Sequence, residues 1–281
     1  MKTYDVKQTI KSRYNQCAKA GVTTTTCCCA SESAPSSGFA ADHGLYSKEE
    51  LSLIPVISRN LSRGCGNPTG FAELQPGEVV VDFGCGAGID IILAAHSISP
   101  GGSVVGVDFS TQMIDRAKQA VSQMGLLEVI KFVISDLEQV DIPDGFADVV
   151  TSNCVINLCP NKEAVYREIF RVLKPGGRLA ISDIVYEEKI DPYVQEHFRE
   201  TWPGCVGGSI EEHAYFEVVT NAGFTELQII ARHRLPPKEL EEMACCPGQE
   251  FTPTPDRSDL DMVQGKVASI KFTAFKPTIS G

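Results

Sequence analysis

Nowhere in this 281-residue chain does an unbroken apolar stretch approach the roughly 18 residues that suggest a membrane-spanning helix. The N-terminus, MKTYDVKQTIKSRYNQ, lacks the apolar core of a secretory signal, so a cytoplasmic protein with no membrane partner is expected. Basic residues are outnumbered, 25 Lys and Arg against 36 Asp and Glu, leaving a formal charge of −11. A chain so acidic is poorly matched to a phosphate backbone, which excludes a dedicated nucleic-acid binder and favours a small-molecule ligand. No internal repeat is visible. The histidines (His43, His96, His197, His213 and His233) share no motif with the cysteines discussed below and are read as structural or solvent-exposed. What is present is a 43% hydrophobic content, enough to bury a substantial core in one enlarged α/β domain or one domain with a cap. Eleven cysteines accompany it; in a reducing compartment they are thiols, ligands or redox pairs, and an odd number cannot pair completely within one chain.

The stretch GVTTTTCCCASESAPSSG carries Cys27, Cys28 and Cys29 in a run of small polar residues that favours a mobile arm. A helix is expected to start at Ser47, whose hydroxyl and Glu50 three residues on form a capping box; Leu51, Ile54 and Ser58 would share a face, with Pro55 limiting or kinking it. From Val79 apolar runs (VVVDF, SVVGVDF, VIKFVIS, ADVVTSN, GRLAISDIV) alternate with stretches of helical spacing. Strict alternation of this kind implies right-handed crossovers and a buried parallel sheet. Lys174-Pro175-Gly176-Gly177 is expected to end the helix before GRLAISDIV. Helical patches near Val194 to Glu200 and Glu211 to Ala222, then strand-like ELQIIARHRL and ASIKFTAFK, complete the chain.

The segment DFGCGAG, Asp82 to Gly88, lies where a strand becomes a helix. Gly84, Gly86 and Gly88 allow backbone to approach a ligand closely, and the helix that follows offers unpaired N–H groups. A dinucleotide fold uses a related turn. Asp82, however, would repel a pyrophosphate, whereas it could orient the amino and sulfonium groups of S-adenosylmethionine. Asp108, ending the next strand in GVDFS, can accept both hydroxyls of a ribose. An adenosine cofactor without a pyrophosphate satisfies both carboxylates. Phe109 and Met113 follow Asp108 and join the expected cofactor site. Asp136 in ISDLEQ is read either as a partner of the adenine amino group or as a solvated turn residue, and Asn153 is expected to face the transferred methyl. Cys85, inside the glycine loop, is read as a small residue beneath the cofactor.

Cys65 in SRGCGNP, Cys154 in TSNCVINL and Cys205 in WPGCVGG each stand beside glycine, proline or asparagine in loop-like sequence. Together they suggest a thiolate pocket for a soft atom, although a single cysteine is more often a small buried hydrophobe. With these segments in view, the chain resembles the arsenite methyltransferases of the microbial group, related to quinone-pathway C-methyltransferases. The resemblance runs from about Cys65 to Lys276 and is carried by GCGNP (64–68), VVVDFGCGAGID (79–90), VVGVDFSTQMIDRAK (104–118), TSNCVINLCPNKEAVYREIFRVLKPGGRLAISDIV (151–185) and CVGG (205–208). Arg63 and Phe83 replace leucines usual in that family, and Cys159 stands where serine is common.

The resemblance implies a Rossmann-like class I methyltransferase fold with a mostly parallel seven-stranded sheet. It implies S-adenosylmethionine as donor, and Cys65, Cys154 and Cys205 as ligands of trivalent arsenic, whose lone pair is the nucleophile. It also implies a small-molecule arsenical as substrate and a thiol reductant of the glutathione or thioredoxin type, with Cys27, Cys28 and Cys29 as candidate redox partners of Cys65 or as exposed thiols of no fixed role. Cys245 and Cys246 are either a metalloid or reductant relay or a simple loop. The expected organisation is a flexible arm over 1–45, an S-adenosylmethionine-binding domain over 46–185 and an arsenic-binding region over 186–281 that completes the sheet, in a monomer. A C- or O-methyltransferase of a quinone-like substrate is the alternative enzyme, and a metalloid buffer without turnover the alternative class.

Overall fold

A computed structural model of the chain describes residues 6–20, 44–62, 64–201, 204–244 and 261–278. Cys27, Cys28, Cys29, His43, Arg63, Cys245 and Cys246 lie outside the described residues. At the centre is one seven-stranded sheet in the order β3-β2-β1-β4-β5-β7-β6. Its strands are β1 (Val79–Phe83), β2 (Ser103–Asp108), β3 (Ile130–Ile134), β4 (Ala147–Asn153), β5 (Leu173–Tyr186), β6 (Thr225–Arg234) and β7 (Val267–Phe275). Strands β1 to β5 pair in parallel, while β7 runs antiparallel between β5 and β6. Because the chain winds from β1 outward to β3 and then returns to place β4 on the other side of β1, the strand order reverses between β1 and β4. Ligands of open α/β sheets bind at such a reversal, beyond the carboxyl ends of the strands.

The expected alternation holds because each parallel crossover needs a helix to return the chain. Helices α4 (Ile89–Ser97) and α5 (Thr111–Gln123) bury Ile91, Ile92, Ile114 and Val121 against one apolar cluster that includes Val80 and Val104. Helix α6 (Lys162–Val172) buries Val165, Tyr166 and Ile169 in the other, which includes Phe83, Val150 and Ile181. The late helical patches are α7 (Pro192–Thr201) and α8 (Glu212–Asn221), and α9 (Pro237–Ala244) follows β6.

Two local expectations hold with shifted boundaries, and a third changes. The capping box at Ser47 is present, with Glu50 N donating to Ser47 Oγ at 3.1 Å and Ser47 N donating to Glu50 Oε2 at 2.7 Å. Helix α2 (Lys48–Ser52) nevertheless stops at Ser52, and Pro55 leads into a separate α3 (Val56–Leu61), since a proline ring clashes with the preceding turn inside a helix but suits the start of one. At the other end, α6 closes at Leu173, one residue before the Lys174-Pro175-Gly176-Gly177 segment. Pro175 disfavours helical backbone at Lys174, so the chain extends there, and the left-handed glycine, Gly176 at φ 80°, falls inside the span of β5.

The third concerns the N-terminal arm. Residues expected to be flexible include α1 (Val6–Ala20), which packs on α5. Cys17 and Ala18 are buried against Leu61, Ala87 and Met113. Asn15 accepts a hydrogen bond from Ser110 Oγ at 2.7 Å, and Arg116 Nε donates to Ala18 O at 3.0 Å. An apolar stripe too short to be conspicuous in a polar sequence suffices because α5 offers a ready surface.

Candidate active site

Two loops meet at the strand-order reversal: the glycine loop after β1 and the cysteine loop after β4. In the first, Gly84, Gly86 and Gly88 take φ values of 84°, 50° and 95°, in the left-handed region open to glycine. A Cβ at Gly84 would lie 2.5 Å from Val155, whereas one at Gly86 would meet nothing within 4 Å. Gly84 is thus required by packing, and Gly86 opens on space that a ligand can fill. Cys85 packs beneath the loop, where a Cβ on Gly106 of β2 would meet its sulfur at 2.8 Å, and burial pushes its thiol well up.

Asp108 is buried and accepts from Gly86 N at 3.0 Å and Ser110 N at 2.8 Å, which fixes both loops around one carboxylate. Burial raises it to about 6, against those hydrogen bonds. A carboxylate has about four acceptor positions, so capacity remains beside these donors for a ribose hydroxyl. Phe109 is half-buried, and Met113 lies beneath α1.

At the inner end of the same pocket Asp82 accepts from Thr151 Oγ1 at 2.6 Å, and Asp90, a residue the sequence did not single out, accepts from Tyr46 OH at 2.9 Å and Asn153 Nδ2 at 3.1 Å. Burial, followed by the charge of Asp90, pushes Asp82 well above the ordinary carboxylate range, and burial lifts Asp90 to about 6. Two buried acids that repel one another form a site suited to a cation. The donor set therefore fits the expected S-adenosylmethionine: Asp108 for a ribose diol, Asp82 and Asp90 for positive charge at the methionine end, and the Gly86 loop for close approach of backbone.

Asp136 takes the more solvated of its two expected placements, and Asn153 is placed differently from its expected role. Asp136 is half-exposed and ion-paired to Lys7 of α1 at 2.7 Å, so α1 is tied across the outer rim of the site. Asn153 spends its amide within the protein: Oδ1 accepts from Cys65 N at 3.0 Å and Gly66 N at 3.2 Å, and Nδ2 donates to Gly66 O at 2.8 Å. It holds the cysteine loop to the cofactor pocket.

The three singled-out cysteines converge. Cys65 and Cys154 are buried, Cys205 is half-buried, and Cys205 Sγ lies 2.8 Å from Cys154 O. Cys154 directly follows β4 with φ 58°, a left-handed backbone that a non-glycine residue adopts at a cost of roughly 1–2 kcal/mol. Gly64 and Gly66 flank Cys65 because the loop presses on the sheet: a Cβ on the former would collide with Asn153 and on the latter with Ser182. Ser269 of β7 closes the loop from the far side, donating to Cys65 O at 2.8 Å.

An apolar shell of Ile184, Phe198, Val206, Leu240 and Val263 surrounds the thiols. Burial raises the Cys65 thiol, and Cys154 is pushed well above its ordinary value first by its thiol neighbours Cys205 and Cys65 and then by burial. Cys159 is half-buried outside this group, its thiol pushed up by burial to about 12. His96, His213 and His233 are exposed, as expected. Asp183, unremarked in the sequence, places a carboxylate oxygen within 4.8 Å of both Cys65 and Cys154 sulfurs. A charged residue in the middle of the apolar strand LAISDIVY was the signal available for it.

A mostly parallel seven-stranded sheet with a glycine loop at its switch point defines the class I methyltransferase fold. The chain belongs to the methyltransferase-domain family, whose model matches residues 74–223. Its sequence is 39% identical over 170 residues to an arsenite methyltransferase of Halobacterium salinarum, covering 60% of this chain and 43% of that protein. It is 32% identical over 173 residues to an arsenite methyltransferase of Aquipseudomonas alcaligenes, covering 59% and 49% respectively. The chain thus spans about half the length of the curated relatives it matches. Among solved structures, an arsenic(III) S-adenosylmethionine methyltransferase from Chlamydomonas reinhardtii superposes with a TM-score of 0.62 at 25% identity, covering 88% of this chain and 76% of that one. Among the described residues no helix is long and apolar enough to cross a membrane.

Proposed function

We propose that this protein methylates trivalent arsenic, as arsenite or methylarsonous acid, with S-adenosylmethionine as donor, in the service of arsenic detoxification. The observation that carries the reading is the meeting of Cys65, Cys154 and Cys205, from three distant segments, in a buried pocket joined through Asn153 to the glycine-loop site. The similarity to relatives named arsenite methyltransferases agrees with it. On this reading residues 46–185 bind the donor and 186–281 supply Cys205 and close the arsenic site.

Thiolates select soft trivalent arsenic over hard cations. Each neutral thiol exchanges for an arsenic hydroxide with release of one water, so loading the site consumes no base. Three sulfurs leave the arsenic lone pair free. S-adenosylmethionine, when bound, supplies a methyl group on a cationic sulfur, toward which that lone pair is nucleophilic.

The remaining work belongs to the protein. Asp108 and the glycine loop orient the adenosine end, Asp82 and Asp90 receive positive charge, Asn153 fixes the thiol loop relative to both, and the apolar shell excludes water. A thiol reductant of the glutathione or thioredoxin type returns the metalloid to its trivalent state, with Cys27, Cys28 and Cys29 as candidate intermediaries.

The test is incubation of the purified protein with methyl-labelled S-adenosylmethionine, arsenite and thiol, followed by arsenic speciation. Labelled methylarsenicals are expected. Label transferred to a quinone-like acceptor instead, undiminished in Cys154→Ser, would replace this reading with an organic methyltransferase, and arsenite binding without transfer would leave a buffer.

A further inference from the structure

We propose that Asp183 is a charge-stabilising residue of methyl transfer, its buried carboxylate offsetting the positive charge that appears on the metalloid held by the neighbouring thiols. This inference rests on the reading of Cys65 and Cys154 as arsenic ligands. Asp183 lies on β5 with no exposed surface, and its oxygen, Cys65 Sγ and Cys154 Sγ are all within 4.8 Å of one another. An acid in such a place is expensive to keep charged unless donors surround it.

They do. Asn157 Nδ2 and Ile184 N each donate to Oδ1 at 2.9 Å, while Asn157 N donates to Oδ2 at 3.2 Å and Tyr215 OH at 2.8 Å. The amide groups can only donate, and the Tyr215 hydroxyl takes a hydrogen bond from Tyr166 OH at 3.0 Å, which directs its own proton to Asp183. Among the described residues every hydrogen-bond partner of Asp183 is neutral. Lys162 exerts a favourable charge on it from a distance, its own Nζ lying 3.5 Å from the carbonyl oxygens of Asn157 and Cys159. Burial lifts Asp183 to about 6 against these donors, so at neutral pH the array holds an acceptor-only anion. With both lone pairs of each oxygen engaged, this carboxylate is a fixed charge beside the thiols and not a further ligand.

Its effect follows from where charge moves. In the transfer an arsenic–carbon bond forms from the arsenic lone pair as the carbon–sulfur bond of the sulfonium donor breaks, with the bonding pair staying on sulfur. The donor leaves as a neutral thioether, and the tris-thiolate arsenic becomes a methylarsonium cation; no proton is gained or lost. A neutral arsenic tris-thiolate gains little from a nearby anion, whereas the forming cation gains much in a site that excludes water. The interaction is thus differential, stronger in the transition state than in the bound substrate. The glycine-loop carboxylates attract the donor's charge where it starts, and Asp183 receives it where it ends.

The decisive variant is Asp183→Asn, examined by single-turnover methyl transfer, by arsenite binding and by binding of Cd2+, read from thiolate-to-metal absorption. Cd2+ probes the same sulfurs through an adduct of net charge −1, since each thiol binds it as a thiolate. We expect the single-turnover rate to fall by roughly 100-fold, the scale of losing one preorganised electrostatic group. Arsenite affinity should change less than about threefold, because that adduct is neutral, whereas Cd2+ affinity should rise about tenfold, because three thiols bind Cd2+ with loss of three protons and the net −1 adduct is freed from the repulsion of a neighbouring anion. An unchanged rate overturns the proposal. So does a parallel loss of arsenite and Cd2+ affinity, which would mark a structural role.

Should the Asn variant not fold, Asp183→Glu carries the test. It keeps the charge and should retain at least about a tenth of the rate with Cd2+ affinity close to wild type, within the loss expected from misplacing a positioned group. A folded, arsenite-binding Glu variant slowed by more than 100-fold would overturn the proposal. Failure of the wild-type protein to bind arsenite, or undiminished binding by Cys154→Ser, sinks the thiol reading itself and is distinguishable from either result.

Discussion

Asn153, the last residue of β4, holds Cys65 in place from 88 positions away in the chain: its Oδ1 accepts the backbone N–H of Cys65 at 3.0 Å. Its Nδ2 reaches the Gly66 carbonyl in the same loop and the Asp90 carboxylate in the cofactor pocket. One amide therefore fixes the spacing between a thiol that would hold the substrate and an acid that would receive the donor's charge. Asn153→Ala leaves buried N–H groups at Cys65 and Gly66 unpaired, at about 1–3 kcal/mol each. Calorimetry should show arsenite affinity reduced at least tenfold, with weaker cofactor binding alongside. Full retention of both would mean that the loop is held by Ser269 alone.

Gly66 permits the loop's approach to β5, where any Cβ would collide with the Ser182 side chain. Gly66→Ala should displace Cys65 and weaken arsenite binding while cofactor affinity and the far-ultraviolet spectrum stay close to wild type. Adding Ser182→Gly should restore part of the loss, because it removes the atoms that the new methyl group meets. Absence of any rescue would locate the damage in backbone conformation instead of the clash.

The thiols should separate by substrate. Arsenite offers three exchangeable oxygens and methylarsonous acid two, so Cys65→Ser should lose methylation of arsenite yet keep much of its activity on methylarsonous acid. Cys154→Ser and Cys205→Ser should lose both while retaining cofactor binding. The assay supplies each arsenical separately, trivalent, with excess thiol. Equal loss on both substrates in Cys65→Ser would show that this residue supports the whole site.

Cofactor affinity should depend on acidity near pH 6. Burial lifts Asp90 and Asp108 to about 6, so below that pH both become neutral and lose their attraction for a cation and a diol. The dissociation constant for S-adenosylmethionine should therefore rise as pH is lowered from 7.5 to 5. For the ligand-free protein the linkage has the opposite sense. These acids bind protons more tightly folded than unfolded, so the stability they contribute is present below the ordinary carboxylate range and is lost as pH rises through about 6. Thermal melting across pH 5 to 8, with and without cofactor, reads both effects; a cofactor affinity flat over that range would contradict the assignment.

The N-terminal thiols lie outside the described residues, and their role is argued from sequence. Changing Cys27, Cys28 and Cys29 together to serine should spare the first methyl transfer and slow repeated turnover when only a weak thiol reductant is present. A three-thiol cluster in small polar residues suits disulfide exchange. Equal multi-turnover rates for variant and parent under limiting reductant would remove these residues from the redox step.

Local order was legible wherever one physical rule acted on neighbouring residues. The apolar runs from Val79 to Val185 imply a parallel sheet because period and alternation are properties of adjacent positions, and Gly84, Gly86 and Asp108 follow from the turn such a sheet needs. Cys65, Cys154 and Cys205 could be singled out from their segments, but their meeting is a product of tertiary structure: β4 lies beside β5, β7 enters between β5 and β6, and the loop before β1 folds across both. The same packing decided what composition concealed. Asn153 reads as a residue facing the substrate, yet its amide is consumed by the Cys65 loop, since unpaired N–H groups there had to be satisfied. Residues 6–20 read as part of an arm and become a helix because α5 presents a surface for Cys17 and Ala18. Asp183 stands as one acid in an apolar strand, and only the folded chain surrounds it with Asn157, Ile184 and Tyr215 and sets it beside two thiols. Periodicity fixes elements through neighbours in sequence, whereas a site is made by groups brought together across the chain, whose hydrogen bonds and charges have no counterpart in local pattern.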